Sequence, residues 1–338
     1  MRTFFILIIS FLILTACHSN KTKQSFEPVN TNATEEVRDL LAYLYSLKGE
    51  KILSGQHNYA RELNRSTDSV FAMTGKYPAV WGCDFGDKKN RQEMLEEAIR
   101  KHEQGFVITL MYHQGAPVDS IPKHLPHPVR YVMNEQEWQD LVTPGTKIHQ
   151  NWLADVDSVA EGMKLLGDHK IPVLWRPYHE MNGSWFWWCD KKGEYGIKKL
   201  WKMMFDRFTN FHKLNNLIWV WNANAPRDWE NDEAYAYDIY YPGNEYVDVL
   251  ATDIYKGDYK QSHHDQLLEL GQGKLIALGE CGILPTPEIL EGMNQFVWFM
   301  DWANFIWEAN KREDVQRLYN DERVVTLDEH KKLVSAQQ

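Results

Sequence analysis

IPVLWRPYHEMNGSWFWW, residues 171–188, changes character in its middle. Its first six residues, Ile171–Arg176, are a short apolar run of the kind that forms a buried strand. The fourteen residues from Trp175 to Trp188 then hold four Trp, one Phe, one Tyr, an Arg, a His and a Glu. Packing alone does not explain charges among so many rings, because a buried charge is costly unless something pairs with it. The same order, an apolar run and then polar or aromatic residues, recurs along the chain. Strand-like runs are read at Lys51–Gly55, Pro78–Cys83, Phe106–Tyr112, Leu217–Trp221, Val247–Thr252, Lys274–Gly279 and Gln295–Asp301. Between them lie stretches with apolar residues at helical spacing, such as Glu93–Gln104, Asp155–Leu166 and Gly196–Lys213.

Eight strands alternating with helices predict an α/β chain folded as a (β/α)8 TIM barrel, a single catalytic domain over residues 34–338. The rival is a doubly wound sheet, which would carry a Gly-rich phosphate turn after its first strand. Ser54-Gly55-Gln56-His57 is no such turn. In a barrel, function sits where strands end. The residues past each run are Gln56-His57-Asn58, Asp84, His113-Gln114, His179-Glu180, Asn222-Ala223-Asn224, Asp253-Ile254-Tyr255, Glu280 and Trp302. A barrel serving only as scaffold has no need of this polar and aromatic collection.

Composition narrows the chemistry. The 338 residues carry a net charge of −10 without a basic stripe, which argues against nucleic acid as a partner. Aromatic residues make up 13%, with 14 Trp, and flat rings stack on sugars. The 13 histidines, including His124, His127 and the pair His263-His264, form no H-E-x-x-H, and no Cys-x-x-Cys cluster occurs. No metal is therefore expected. There is also no G-x-S-x-G elbow to support an esterase.

The N-terminus reads as targeting rather than fold. Arg2 precedes an apolar run, Phe4–Leu14, too short to span a bilayer. The run ends in Leu14-Thr15-Ala16-Cys17, which resembles the lipobox of bacterial lipoproteins. The expectation is a signal peptide over residues 1–16, lipidation at Cys17 and a flexible tether over 17–33. His18, in place of the Asp associated with inner-membrane retention, points to the outer membrane, at its periplasmic face or the cell surface. Membrane contact is expected through the lipid alone, and the protein is expected to be a monomer. Cys83, Cys189 and Cys281 are read as small buried residues without a disulfide.

Glu180 follows the fourth strand and Glu280 the seventh, in KLIALGE. Strands four and seven stand across a barrel mouth, so the two acids can face each other over a substrate. Paired carboxylates are the machinery of glycosidic bond cleavage: one protonates the leaving oxygen, and the other attacks or activates water. Burial among Trp185, Trp187 and Trp188 would raise the pKa of Glu180 and keep its proton near neutral pH. A separation of ~5–5.5 Å fits retention, and ~6.5–9.5 Å fits inversion.

WRPYHEMNGSWFWW followed by LGECG resembles glycoside hydrolase family 26, mostly β-mannanases on retaining barrels. LIWVWNANAP and YYPGNEYVDVLATDIY resemble that family's fifth and sixth strands. The resemblance covers residues from about 36 to 330. It implies a retaining endo-β-1,4-mannanase acting on mannan, glucomannan or galactomannan, by a chemistry that needs no cofactor. Alternatives are an exo-acting, mannobiose-releasing β-mannanase, a β-glucanase (lichenase) or a β-1,3-xylanase. The long loop Pro117–Thr146 would favour the exo mode if it closed one end of the cleft. A non-catalytic glycan-binding lipoprotein is the remaining class, and its mark would be loss of Glu180 or Glu280. The resemblance also implies Glu180 as acid/base and Glu280 as nucleophile. His113, His179 and Trp185 are implied at the sugar site, and Tyr255 on the nucleophile. Trp302 is read as the ring under the −1 sugar, with Trp298 as its rival. Arg176 either faces the substrate or pairs with an acid inside the barrel. Trp187 and Trp188 are read as wall, and Trp219 and Trp221 as core or lining. Asp84 either binds a sugar hydroxyl or caps a loop.

Overall fold

The computed structural model describes residues 27–125 and 127–337. The signal peptide, Cys17 and most of the expected tether lie outside these residues. Eight parallel strands form a closed ring: β1 Ile52–Asn58, β2 Val80–Asp84, β3 Val107–Tyr112, β4 Val173–Pro177, β5 Leu217–Asn224, β6 Val249–Ile254, β7 Leu275–Cys281 and β8 Trp298–Asp301. The order runs β2 through β8 and back to β1, which also pairs with β2, so the sheet has no open edge among these eight. A two-residue strand, Val324–Val325, lies beside the start of β1. This is the (β/α)8 barrel expected from the alternation of runs.

The strands reach further toward their C-terminal ends than hydrophobicity alone indicates. β1 includes Gln56, His57 and Asn58, β5 includes Asn222 and Asn224, and β7 includes Glu280. Apolar patterning stops where side chains begin to face the mouth, whereas the backbone ladder continues. Residues that read as loop therefore stand on rigid strand.

Two layers of core support the mouth. Outside the ring, Trp175, Trp219 and Trp221 pack toward the helices, with Trp219 at 5.8 Å from Trp201 and Trp221 at 5.2 Å from Tyr241. Inside and below, the helix Glu35–Leu47 plugs the barrel floor with Val37, Leu41 and Leu44 against Leu53, Val107, Leu174 and Trp298. Trp298 is thus buried at the floor, does not line the cleft at the barrel mouth, and is excluded as a stacking platform.

The helix read at Asp155–Leu166 begins earlier, at Lys147, because Thr146 caps it by accepting from His149 N–H at 3.2 Å. The preceding loop is partly ordered by a helix at Glu135–Val142, which starts on an Asn134–Glu137 capping box. The helix expected over Gly196–Lys213 runs Ile197–Asp206 and then widens into a π turn at Arg207–Phe211.

One boundary is corrected. The tether expected to reach residue 33 is already packed onto the barrel from Val29. Val29 N–H donates to Asp248 Oδ1 at 2.8 Å, and the buried Asn30 amide donates to Leu214 O at 3.1 Å. Polar composition hid this, because the partners lie some two hundred residues away. Cys83, Cys189 and Cys281 are free and buried.

Candidate active site

The fourth strand delivers Glu180 through an unusual turn. Tyr178 has φ 49° and Glu180 φ 53°, both in the left-handed region that side chains rarely adopt. Such a backbone persists only where neighbours hold it. Trp152 Nε1–H donates to Tyr178 Oη at 2.7 Å, and Tyr178 O–H donates to Gln114 Oε1 at 2.8 Å. Glu180 N–H donates to Asn222 O at 2.8 Å, and Glu180 O accepts from Gly183 N–H at 2.9 Å. The aromatic run supplies further pins: Trp187 Nε1–H donates to Gln114 O at 2.7 Å and Trp188 Nε1–H to His179 O at 2.8 Å. Trp187 and Trp188 are buried wall, as read from the sequence.

Both oxygens of Glu180 are engaged. Asn224 Nδ2–H donates to Oε1 and Trp185 Nε1–H to Oε2, each at 2.6 Å. Opposite stands Glu280, 2% exposed. Its Oε1 accepts from Arg176 Nη2 at 3.1 Å and its Oε2 from Tyr255 O–H at 2.7 Å. A shift in register between Thr252 and Asp253 sets Asp253 beside Glu280. Glu180, Asp253 and Glu280 each present an oxygen within 4.8 Å of the others.

Three acids so close are held by unequal protonation. Burial, and then the charge of Glu280, push the Glu180 carboxyl up to about 7, against the donors Asn224 and Trp185 and the Arg227 guanidinium. Burial, followed by the charges of Glu280 and Glu180, drives Asp253 well above the carboxylate range, so it joins the trio as a neutral acid. Burial and the Glu280 charge also raise Tyr255, which keeps its proton and donates it. A cation shared by the three acids would meet the Arg176 guanidinium, which already stands against Glu280.

The remaining expected residues divide. His113, His179, Trp185, Tyr255 and Trp302 line one cleft of roughly 1810 Å³ with Glu180 and Glu280. Such a volume exceeds the ~300–1,000 Å³ of ordinary ligand pockets. Trp302 is half-buried, with one face stacked on His57 at 4.2 Å and 11°. Arg176 is the correction. It is 1% exposed, does not line the cleft and donates to Asn222 Oδ1, Gly279 O and Glu280. Its partner is the acid, not a ligand, because β4 directs it into the barrel interior. Asp84 accepts from His113 N–H at 3.0 Å, from His113 Nδ1 at 3.1 Å and from Gly86 N–H at 2.8 Å. Burial opposes a charge on His113, but Asp84 outweighs it and raises His113; Asp84 is correspondingly held low. His179 and His57 are pushed down, by burial first.

Sequence reading left Asn224 among several cleft candidates and did not single out Asp253 or Arg227. The signal available for Asn224 and Asp253 was their place past the fifth and sixth apolar runs; for Arg227 there was none.

A family model described as glycosyl hydrolase family 26 matches residues 29–329. A mannan endo-1,4-beta-mannosidase of Thermothelomyces thermophilus is 34% identical over 89% of this chain, which spans 62% of that relative's length. The solved structure of GH26A from Muricauda sp. MAR_2010_75 is 50% identical with a TM-score of 0.85, covering 89% of this chain and 99% of that one. A beta-mannanase from a symbiotic protist of the termite Reticulitermes speratus, solved with gluco-manno-oligosaccharide, is 28% identical with a TM-score of 0.78, covering 90% and 97% of the two chains.

Proposed function

This chain belongs to glycosyl hydrolase family 26, and from that premise we propose that it hydrolyses β-1,4-linked mannans internally and with retention. Glu180 serves as general acid/base and Glu280 as nucleophile. The observation that carries this reading is the facing pair itself, with oxygens within 4.8 Å and a proton held on Glu180. That closeness fits the ~5–5.5 Å spacing of a retaining pair.

In the first step Glu280 attacks the anomeric carbon, and the bond from that carbon to the glycosidic oxygen breaks. Glu180 gives its proton to the departing oxygen. A glycosyl ester forms on Glu280, whose negative charge is thereby lost. That charge had helped hold the proton on Glu180, so its loss favours the carboxylate that the second step needs. Glu180 then takes a proton from water, the water attacks the anomeric carbon from the other face, and Glu280 leaves. Two inversions amount to retention.

The substrate reading is supported by the names of the relatives, a mannan endo-1,4-beta-mannosidase and a beta-mannanase. Internal cleavage is supported by a cleft large enough for several sugar rings. Localisation is a further part of the proposal: Cys17 carries the lipid, and the catalytic domain hangs from the outer membrane as a monomer. Labelling with a fatty acid, abolished in Cys17→Ser, tests the anchor.

The activity is tested by following products over time from mannan, glucomannan, barley β-glucan and β-1,3-xylan in parallel. A spread of mannooligosaccharides appearing early is the expected result. Mannobiose alone from the first minutes would mean end-wise cleavage, with the wall made by His127, Val129 and Arg130 in the long loop as the suspect. Glu280→Ala is expected to abolish hydrolysis while keeping polysaccharide binding; wild-type turnover in that variant refutes the nucleophile.

A further inference from the structure

Arg227 lies beyond the end of β5 and touches neither Glu180 nor Glu280 by hydrogen bond. It is nevertheless tied to both donors on Glu180. Its Nη1 donates to Asn224 Oδ1. Its guanidinium lies over Trp185 at 5.3 Å.

The amide of Asn224 has one accepting end and one donating end, and reversing it would turn an N–H donor on Glu180 into an oxygen. Arginine has donors only. The oxygen of Asn224 must therefore face Arg227, and its Nδ2–H must face Glu180 Oε1, where it lies at 2.6 Å. The backbone of Asn224 is fixed independently. Asn224 N–H donates to Asn182 Oδ1 at 2.8 Å, and Asn182 Nδ2 donates back to Asn224 O at 2.8 Å. Only the amide's rotation is left for Arg227 to decide.

Arg227 is itself held. Its Nε donates to Asp232 O at 2.9 Å and its Nη2 to Asp232 Oδ1 at 2.6 Å. Asp232 Oδ2 accepts from Lys256 Nζ at 3.1 Å. Trp229 lies under the Arg227 guanidinium at 4.8 Å and the Lys256 ammonium at 4.4 Å. Arg227, Asp232 and Lys256 all line the cleft, so this clamp forms part of its rim.

We propose that Arg227 is a positioning residue: it fixes the donating faces of Asn224 and Trp185 on the two oxygens of Glu180, and so sets how readily that carboxyl gives up and recovers the transferred proton. Burial and Glu280 favour the proton on Glu180; the two N–H donors and the nearby guanidinium favour its release. Without Arg227 the balance tips toward the proton, because a positive charge is lost and Asn224 is free to offer its oxygen. The inference rests on Glu180 being the acid/base of the reading above.

The test is the pH dependence of kcat/KM on mannooligosaccharides for the wild type, Arg227→Met, Arg227→Lys, Asn224→Ala and the double variant Arg227→Met/Asn224→Ala. Folding is checked for each by circular dichroism. A nearby opposite charge moves a carboxyl by about 1–3 pH units, so the alkaline limb of Arg227→Met is expected about one pH unit higher. Arg227→Lys, which keeps a charge and one donor, should recover part of that displacement. If the effect runs through Asn224, the shifts of the two single variants will not add in the double variant. A uniform fall in kcat/KM with the limb unmoved would mean that Arg227 only braces the rim, and overturns the inference. Additive shifts would overturn the relay through Asn224. A wild type inactive on every mannan tested, or an active Glu180→Gln, would instead sink the parent reading.

Discussion

Glu180→Gln should make the protein more stable in alkali and less stable in acid, and the size of each effect can be worked from the site. Raising a carboxyl from its ordinary 4.5 to about 7 costs the ionised folded state about 3 kcal/mol, at ~1.36 kcal/mol per pH unit. The sign follows from the direction. The folded state holds this proton more tightly than the unfolded chain, so the contribution of Glu180 is most favourable below pH 4.5. It declines as pH rises, and is level above about 7. Glutamine carries no charge and escapes the decline. It has its own cost, however. Asn224 and Trp185 both donate to residue 180, and a Gln side chain has only one oxygen. Its NH2 must confront one of the two donors, leaving a buried donor unsatisfied at about 1–3 kcal/mol. The charge effect therefore wins narrowly above pH 7, by about 1 kcal/mol, and the unsatisfied donor wins below pH 5, by about 2 kcal/mol. The assay is urea unfolding of both proteins from pH 4.5 to 8.5, with the difference plotted against pH so that titrating groups remote from Glu180 cancel. A difference that stays flat across the range would refute the raised proton affinity, and with it the role of general acid.

Tyr255→Phe removes one donor from the nucleophile and keeps the ring that lines the cleft. A hydrogen bond to a charged group is worth about 1.5–3 kcal/mol, so kcat/KM should fall about 10–100-fold, with KM little changed in steady-state kinetics. Asp84→Asn removes the charge that holds up His113. Burial then prevails, and the His113 titration followed by NMR should drop below 6.5. The Asp84–His113 pair stabilises most above the ordinary 3.8 of an aspartate and below the 6.5 of a histidine. Asp84→Asn should thus cost most in that window and less at pH 9. Trp302→Ala, made on a Glu280→Ala background and measured by calorimetry with mannooligosaccharides, should bind about tenfold more weakly; an aromatic face contributes about 0.5–1.5 kcal/mol beyond the area it buries.

How far the sequence could be read depends on whether the signal is local. The eight strands were legible because each is a compact apolar run, and Glu180 and Glu280 because each closes one. Their ends were read short, since hydrophobicity fades at the mouth before hydrogen bonding does. Arg176 read as open between two roles because its partners, Asn222, Gly279 and Glu280, come from β5 and β7. Strand register decides that contact, and a single chain read linearly does not display it. Asp253 was obscure for the same reason: a shift of one position at Thr252/Asp253 sets it beside Glu280. The anchoring of Val29 by Asp248 was invisible in a tract that is polar and aperiodic.

The aromatic run at 175–188 can now be understood as more than a surface for sugars. A left-handed backbone at Tyr178 and Glu180 stays in place only if the loop around it cannot relax, and indoles suit that task. Each is rigid, fills a large volume and carries a single donor. Trp152, Trp187 and Trp188 spend that donor on Tyr178 Oη, Gln114 O and His179 O, and so fix the turn. Trp185 spends its own on Glu180 and remains half-exposed to the cleft. Three rings thus hold the backbone that aims the acid, and one touches the acid itself. A phenylalanine at any of these positions would keep an aromatic ring but leave a small void, and it would leave a carbonyl, a hydroxyl or a carboxylate without its indole donor. At Trp152, Trp185, Trp187 and Trp188 the indole N–H, as much as the ring, accounts for tryptophan; Trp175, whose buried N–H meets no acceptor, serves by its ring alone.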